Sequence, residues 1–177
     1  NAPLTVWGPW HTDDHRGEGT LADVQTSMKD MIKPEIVMDI FRFFTLFATD
    51  KKHRKYKIIC RYQQFEGANM IVDRVVKGYP KKGLIWHFQG SGKSLSMVFY
   101  AHLLQEALES PTIVVMTDRI DLDDQLYAQF SKCAAFLRQT PVQAESKVHL
   151  KELLEGRSAN GIIFTTMFKF EAQEEPL

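Results

Sequence analysis

An apolar run that passes directly into a glycine loop and then into a helix leaves few folds open, and this chain contains one. Leu84-Ile85-Trp86-His87-Phe88 reads as a buried strand and Gln89-Gly90-Ser91-Gly92-Lys93-Ser94 as the loop; Leu95, Val98, Phe99, Leu103 and Leu104 then recur at helical spacing. Gly90 and Gly92 can take backbone angles closed to other residues. Successive N–H groups can therefore converge on an anion at a helix N-terminus, where the helix dipole also favours negative charge. An ammonium at Lys93 would reach the β- and γ-phosphates of a nucleotide, and the Ser94 hydroxyl would ligate Mg²⁺. The pattern G-x-x-x-x-G-K-[ST] is incomplete, because its first glycine position is His87.

Charge removes the simplest argument for a nucleic-acid partner. The 177 residues carry 22 Lys and Arg against 22 Asp and Glu, so any contact with DNA has to come from local groups. One such group is the basic run Lys51-Lys52-His53-Arg54-Lys55-Tyr56-Lys57, which reads either as a solvated connector or as a contact for DNA phosphates. No apolar run is long enough to span a bilayer, so no membrane association is expected. Cys60 and Cys133 lie far apart and outside any C-x-x-C pair, which reads as two reduced, buried thiols in a cytoplasmic protein.

Before the loop, residues 3–19 are rich in turn formers and charge and read as an irregular arm anchored by Trp7 and Trp10. His11, Asp13, Asp14 and His15 could bind a metal but lack a scaffold of fixed spacing, so a solvated loop is the expectation. Thr20, with Asp23 three residues on, predicts a helix from Leu21 to about Ile32. Pro34 opens a second, with Ile36, Val37, Ile40, Phe41, Phe44 and Phe47 on one apolar face. A third helix begins at Arg61-Tyr62-Gln63-Gln64 and ends at Gly78.

After the loop helix, Thr112 to Thr117 reads as a strand suited to a sheet interior, and a helix follows with Leu122, Leu126, Phe130, Ala134 and Leu137 on one face. Thr140 to Glu145 reads as loop, Ser146 as the cap of a helix that stops at Gly156, and Gly161 to Thr165 as a third strand. This alternation predicts an α/β fold, a parallel sheet flanked by helices, with ligands at the C-terminal ends of its strands. Those ends carry Gln89 to Ser94, Thr117 to Arg119, and Thr165-Thr166.

Four segments together resemble the R subunit of type I restriction enzymes, the motor and nuclease subunit. They are Arg61 to Gln64, Gly83 to Ser94 with I-W-H-x-Q-G-S-G-K-S, Val115 to Gln125 with D-R-x-D-L-D-x-Q, and Ile162 to Thr166. Helicase-type motors relax the first glycine while keeping G-[ST]-G-K-[ST], so His87 fits that subclass. The resemblance implies a superfamily 2 translocase, in which a RecA-like lobe uses ATP and Mg²⁺ to pull duplex DNA beside modification and specificity subunits. Residues 1–56 would be an N-terminal arm and helical linker, and 57–177 the first part of the motor lobe. Carried over residue by residue, Gln64 reads the adenine, with Gln63 the adjacent alternative. Gln89, Gly90, Ser91, Gly92, Lys93 and Ser94 hold the phosphates and Mg²⁺, with Lys93 the catalytic cation. Asp118, Arg119, Thr165 and Thr166 face the nucleic-acid strand, unless Asp118-Arg119 is an internal ion pair or helix cap.

The same resemblance implies an acidic Asp-Glu motif after the third strand, an arginine from a second motor lobe and a nuclease centre. None is found in these residues, so this stretch alone is expected to turn over no ATP. Asp124, Glu145 and Lys147 echo a nuclease motif only by coincidence. Two other readings remain. One is a different superfamily 2 DNA helicase or translocase, against which the D-R-x-D-L-D-x-Q segment argues. The other is a non-catalytic module in which bound nucleotide only orders the chain.

Overall fold

Thr20 opens the first helix, α1 (Leu21–Met31), with a reciprocal cap. Its hydroxyl accepts from the Asp23 N–H at 3.3 Å, and the Asp23 carboxylate accepts from the Thr20 N–H at 2.8 Å. The computed structural model describes residues 10, 20–49, 53–109, 111–155 and 161–170, which divide into two compact units, one up to Tyr100 and one from Ala101. Trp7 and the group His11, Asp13, Asp14 and His15 lie outside the described residues, as do Lys51 and Lys52.

In the first unit α2 (Pro34–Phe43) starts at its proline but stops earlier than its phenylalanines suggest. Phe44 is its C-cap, the Thr45 hydroxyl donates to the Ile40 carbonyl at 2.8 Å, and Thr45–Thr49 forms strand β1. β1 pairs antiparallel with β2 (Lys55–Ile59), so part of the basic run is a strand and not a connector. Phe44 and Phe47 are therefore not on the helix face where the spacing put them. Alternation explains this: Leu46 and Ala48 are buried while Phe47 is exposed, a period of two that a count of phenylalanines at helical spacing hides. Helix α3 (Tyr62–Lys77) runs from Arg61 to Gly78, as expected, and Gly78 takes a left-handed φ of 71° at its end. The core centres on Phe44, fully buried, with Phe65 at 4.8 Å and Phe99 at 5.4 Å between ring centroids. Trp10 packs on Tyr62 and Phe65 at 5.5 and 5.3 Å between ring centroids.

The expected central strand, Leu84 to Phe88, is absent from both sheets, and Leu84, Trp86 and Phe88 are exposed. An apolar run records a tendency to be buried; a strand also needs neighbours to complete its ladder, and these residues have none here. Helix α4 (Lys93–Ala107) follows the loop, and the division between the units falls within it.

The second unit is built on β3 (Thr112–Thr117), β4 (Val142–Gln143) and β5 (Gly161–Thr166), all parallel, in the order β3-β5-β4. Helices α5 (Ile120–Lys132), α6 (Ala134–Leu137), α7 (Lys147–Glu155) and α8 (Met167–Phe170) alternate with them. This is the parallel sheet flanked by helices that the alternation implied, and it is consistent with the partial RecA-like domain that the resemblance implied. The interior strand is β5, buried at all six positions, with Phe164 against Phe130 and Tyr127 at 5.0 and 5.7 Å. β3 lies at an edge and leaves Val114 and Met116 partly exposed, although its sequence is the more continuously apolar reading for an interior strand. β4 replaces part of the loop expected at Thr140 to Glu145; two residues are too few to show a period.

Candidate nucleotide site and nucleic-acid residues

The glycine loop has the backbone that its composition requires. Gly90 and Gly92 have φ values of 81° and 85°, in the left-handed region that only glycine enters cheaply. The Gly92 carbonyl accepts from the Leu95 and Ser96 N–H groups, each at 3.0 Å, which starts α4 and leaves the amides just before them at the helix N-terminus without intrahelical partners. Lys93 is exposed, and its ammonium donates to the carbonyls of His87 and Phe88 at 3.0 and 2.9 Å, folding back over the loop that precedes it. Ser94 is the second residue of α4, half-buried in the first turn. Gln89 is exposed on the approach.

Gln64 meets this loop from α3. Its Nε2 donates to the Gly92 carbonyl at 3.2 Å, and its Oε1 accepts from the Arg61 N–H at 2.9 Å. The amide is buried, 3% exposed, with both ends engaged. A Cβ at Gly92 would lie 2.5 Å from Gln64 Nε2, so the absence of a side chain there is what admits the contact. Two polar atoms beside the loop, Ser91 Oγ and His87 Nδ1, are buried without a partner among the described residues. Buried polar groups are ordinarily satisfied, so these atoms mark places where a polar ligand would be accepted. A cavity of about 710 Å³ opens between α3 and residues 78–87 and includes Gln63, Met70, Arg74, Trp86, His87 and Tyr100 in its wall. Gln63, exposed, faces that space while Gln64 does not.

Asp118, Arg119, Thr165 and Thr166 belong to the second unit, at the C-terminal ends of β3 and β5, where Thr117 stands beside Thr166 and Met116 beside Thr165. Arg119 caps α5 with an extended backbone, and its guanidinium donates to both Asp121 oxygens, at 3.0 and 2.6 Å, in full solvent. That hydrogen bond raises the Arg119 pKa and lowers that of Asp121. Asp118 is exposed; Thr165 and Thr166 are buried, and the Thr165 hydroxyl donates to the Thr166 carbonyl at 3.3 Å. The cation is thus open to solvent, while the two hydroxyls are enclosed.

One residue here escaped the sequence reading. Gln143 Nε2 donates to Asp123 Oδ2 at 2.8 Å and to Asp124 Oδ1 at 2.7 Å, and the Thr117 hydroxyl approaches Asp123 Oδ1 at 3.4 Å. These bonds tie the strand end, the start of α5 and β4 together around a carboxylate that is 1% exposed. No local signal marks Gln143, because its partners lie 19 and 20 residues away. Among the described residues no group of three or more His, Cys, Asp and Glu could hold a metal ion.

A family model described as the SWI2/SNF2 ATPase matches residues 63–177, from the first turn of α3 through the glycine loop and the whole second unit. The chain belongs to the SWI2/SNF2 ATPase family. This SWI2/SNF2 chain is 39% identical over 186 aligned positions to the type I restriction enzyme HindI endonuclease subunit of Haemophilus influenzae, covering 99% of the chain and 18% of the relative. It is 41% identical over 128 positions to the Methanocaldococcus jannaschii endonuclease subunit assigned to the type I restriction enzyme MjaIXP, covering 67% and 12%. The SWI2/SNF2 chain thus spans less than a fifth of the length of either relative. No solved structure matches it. The similarity to type I restriction subunits extends well beyond the four motifs that first suggested it.

Proposed function

We propose that this SWI2/SNF2 chain is the nucleotide-binding part of an ATP-dependent subunit that translocates and cleaves DNA in a type I restriction–modification enzyme. The observation that carries the reading is the paired left-handed conformation of Gly90 and Gly92 at the start of α4, with the Lys93 ammonium folded over the same loop. Amides at the helix N-terminus would bind the nucleotide's terminal phosphates, and Lys93 would exchange two neutral carbonyls for anionic oxygens, a stronger class of hydrogen bond. The residues fit a nucleotide–Mg²⁺ pair. Ser94 would hold the ion, which when bound supplies charge neutralisation between the β- and γ-phosphates. Gln64 acts on the nucleotide by holding the Gly92 carbonyl, and Gln63, facing the cavity, is placed to meet the edge of the base.

Arg119 is the residue that would contact duplex DNA, by transferring its two donors from Asp121 to a phosphate. Asp118 would set its local field, and Thr165 and Thr166 would shape the strand end beneath it. The modification and specificity subunits would be its partners in a cytoplasmic complex. By itself this stretch would bind ATP without turnover, which requires a carboxylate and an arginine placed to stabilise the transferred phosphoryl group.

Binding of a fluorescent ATP analogue with Mg²⁺ to the chain and to Lys93→Ala tests this reading. Loss of the charge-assisted bonds is expected to weaken binding about 10- to 100-fold with the circular dichroism spectrum unchanged. Equal binding by both proteins would show the assignment to be wrong, whereas steady phosphate release from the wild-type chain would overturn only the absence of turnover. In the intact subunit the same substitution is expected to abolish DNA translocation and ATP-dependent cleavage.

A further inference from the structure

The two-stranded sheet of the first unit presents a face that the nucleotide site does not use. In its register Thr45 stands opposite Ile59, Phe47 opposite Lys57 and Thr49 opposite Lys55. Side chains alternate across the pleat, so these six share one face, while Leu46 and Ala48 point the other way and are 1% and 4% exposed. On the open face Phe47 is 63% exposed, an unusual state for a large aromatic ring on a strand. The Lys57 ammonium stands 5.9 Å from its centroid. Lys55 and Lys57 are exposed, and neither forms an ion pair among the described residues.

Charge and geometry together restrict what could lie there. From Lys51 to Arg61 the sequence holds six Lys and Arg and no Asp or Glu, in a chain whose formal net charge is zero, so this strand and its approach concentrate positive charge. Lysines two residues apart on one face stand about 7 Å from each other along the strand. That is the order of the spacing between successive phosphates of a single nucleic-acid strand. A flat π-face beside the cations suits a base, and base–aromatic stacking does not depend on sequence. A duplex presents phosphates but keeps its base faces stacked inside, so it would leave Phe47 unused.

We propose that this face binds an unpaired nucleic-acid strand, with phosphates on Lys55 and Lys57 and a base against Phe47. The proposal deepens the DNA-handling reading, on which it rests for the source of the strand, but uses none of the residues assigned to duplex contact.

Fluorescence anisotropy of the 177-residue chain with a labelled oligothymidine and with a labelled duplex, over a series of salt concentrations, tests it. Phe47→Ala is expected to weaken oligothymidine binding roughly 5- to 150-fold and leave duplex binding unchanged, whereas Phe47→Tyr should retain both. Lys55→Gln with Lys57→Gln should reduce the slope of log affinity against log salt by about 1.4, from two phosphates at about 0.7 each. Arg119→Gln should affect the duplex and spare oligothymidine. Phe47 is exposed, so its variants should keep the wild-type circular dichroism spectrum. Unchanged oligothymidine affinity in Phe47→Ala, or an unchanged salt slope in the lysine pair, overturns the proposal. A chain that binds duplex through Arg119 and ignores oligothymidine refutes this face alone and leaves the wider reading in place.

Discussion

Gln64 donates to the carbonyl of Gly92 at 3.2 Å although the two residues are 28 positions apart, so the first turn of α3 holds the glycine loop directly. The contact makes this glutamine, to which the resemblance assigns base recognition, a brace for the loop as well. Removing it in Gln64→Ala strips the Arg61 N–H of its acceptor in a largely buried site, at an expected cost of about 1–3 kcal/mol measured by urea unfolding. On the proposed reading the braced loop serves any nucleotide while Gln63 meets the base, so ATP and GTP affinity should fall together. Gln63→Ala, at the cavity wall, should instead change the ATP-to-GTP ratio without lowering stability. An ATP-specific loss in Gln64→Ala would return base reading to Gln64.

The two loop glycines are expected to differ in tolerance. Both have positive φ, so alanine at either position costs roughly 1–2 kcal/mol of backbone strain. At Gly90 a Cβ meets nothing within 4 Å, whereas at Gly92 it would stand 2.5 Å from Gln64 Nε2 and would have to push the amide off its carbonyl. Gly92→Ala should therefore lower the denaturation midpoint well beyond Gly90→Ala. The double variant Gly92→Ala with Gln64→Ala should lose less than the sum of the two single changes. Strict additivity would rule out the brace.

Cys60 gives the first unit a pH dependence on the alkaline side. Burial pushes its thiol up to about 12 from an ordinary value of 9.0, only partly offset by a backbone hydrogen bond. The folded chain therefore keeps a proton that the unfolded chain releases. The contribution is complete below about pH 9 and is lost as pH rises from there through about 12, at up to roughly 1.4 kcal/mol per pH unit. Urea titrations of wild type and Cys60→Ala at increasing pH should diverge over that window, the wild type losing more. Parallel curves would mean that the thiol is accessible to solvent.

Signals that act within a few residues hold in the folded chain. Gly78 ends α3 with φ 71°, Ser146 accepts from the His149 N–H at 3.1 Å at the start of α7, and Thr20 with Asp23 closes the cap of α1. Each of these depends on residues within one turn of one another. Phe44 and Phe47 fall outside the helix that their spacing predicts, because a five-residue strand and a helix can share the same apolar spacing over so short a span. Thr165 and Thr166 sit at the strand end where the motif put them, but their burial follows from β5 lying between β3 and β4.

By itself the sequence determined the glycine loop, the helix behind it, the alternation of strand and helix, and the kinship with type I restriction subunits. Those features are set by backbone freedom, capping and periodicity, which act over a few neighbouring residues. Only the tertiary structure decided that Gln64 braces Gly92, that Gln143 joins Asp123 to Asp124, that β5 is the interior strand, and that Leu84 to Phe88 remains outside the ladders. These outcomes depend on which distant segment supplies a partner for each donor, acceptor and strand edge, and no local run of residues specifies that partner.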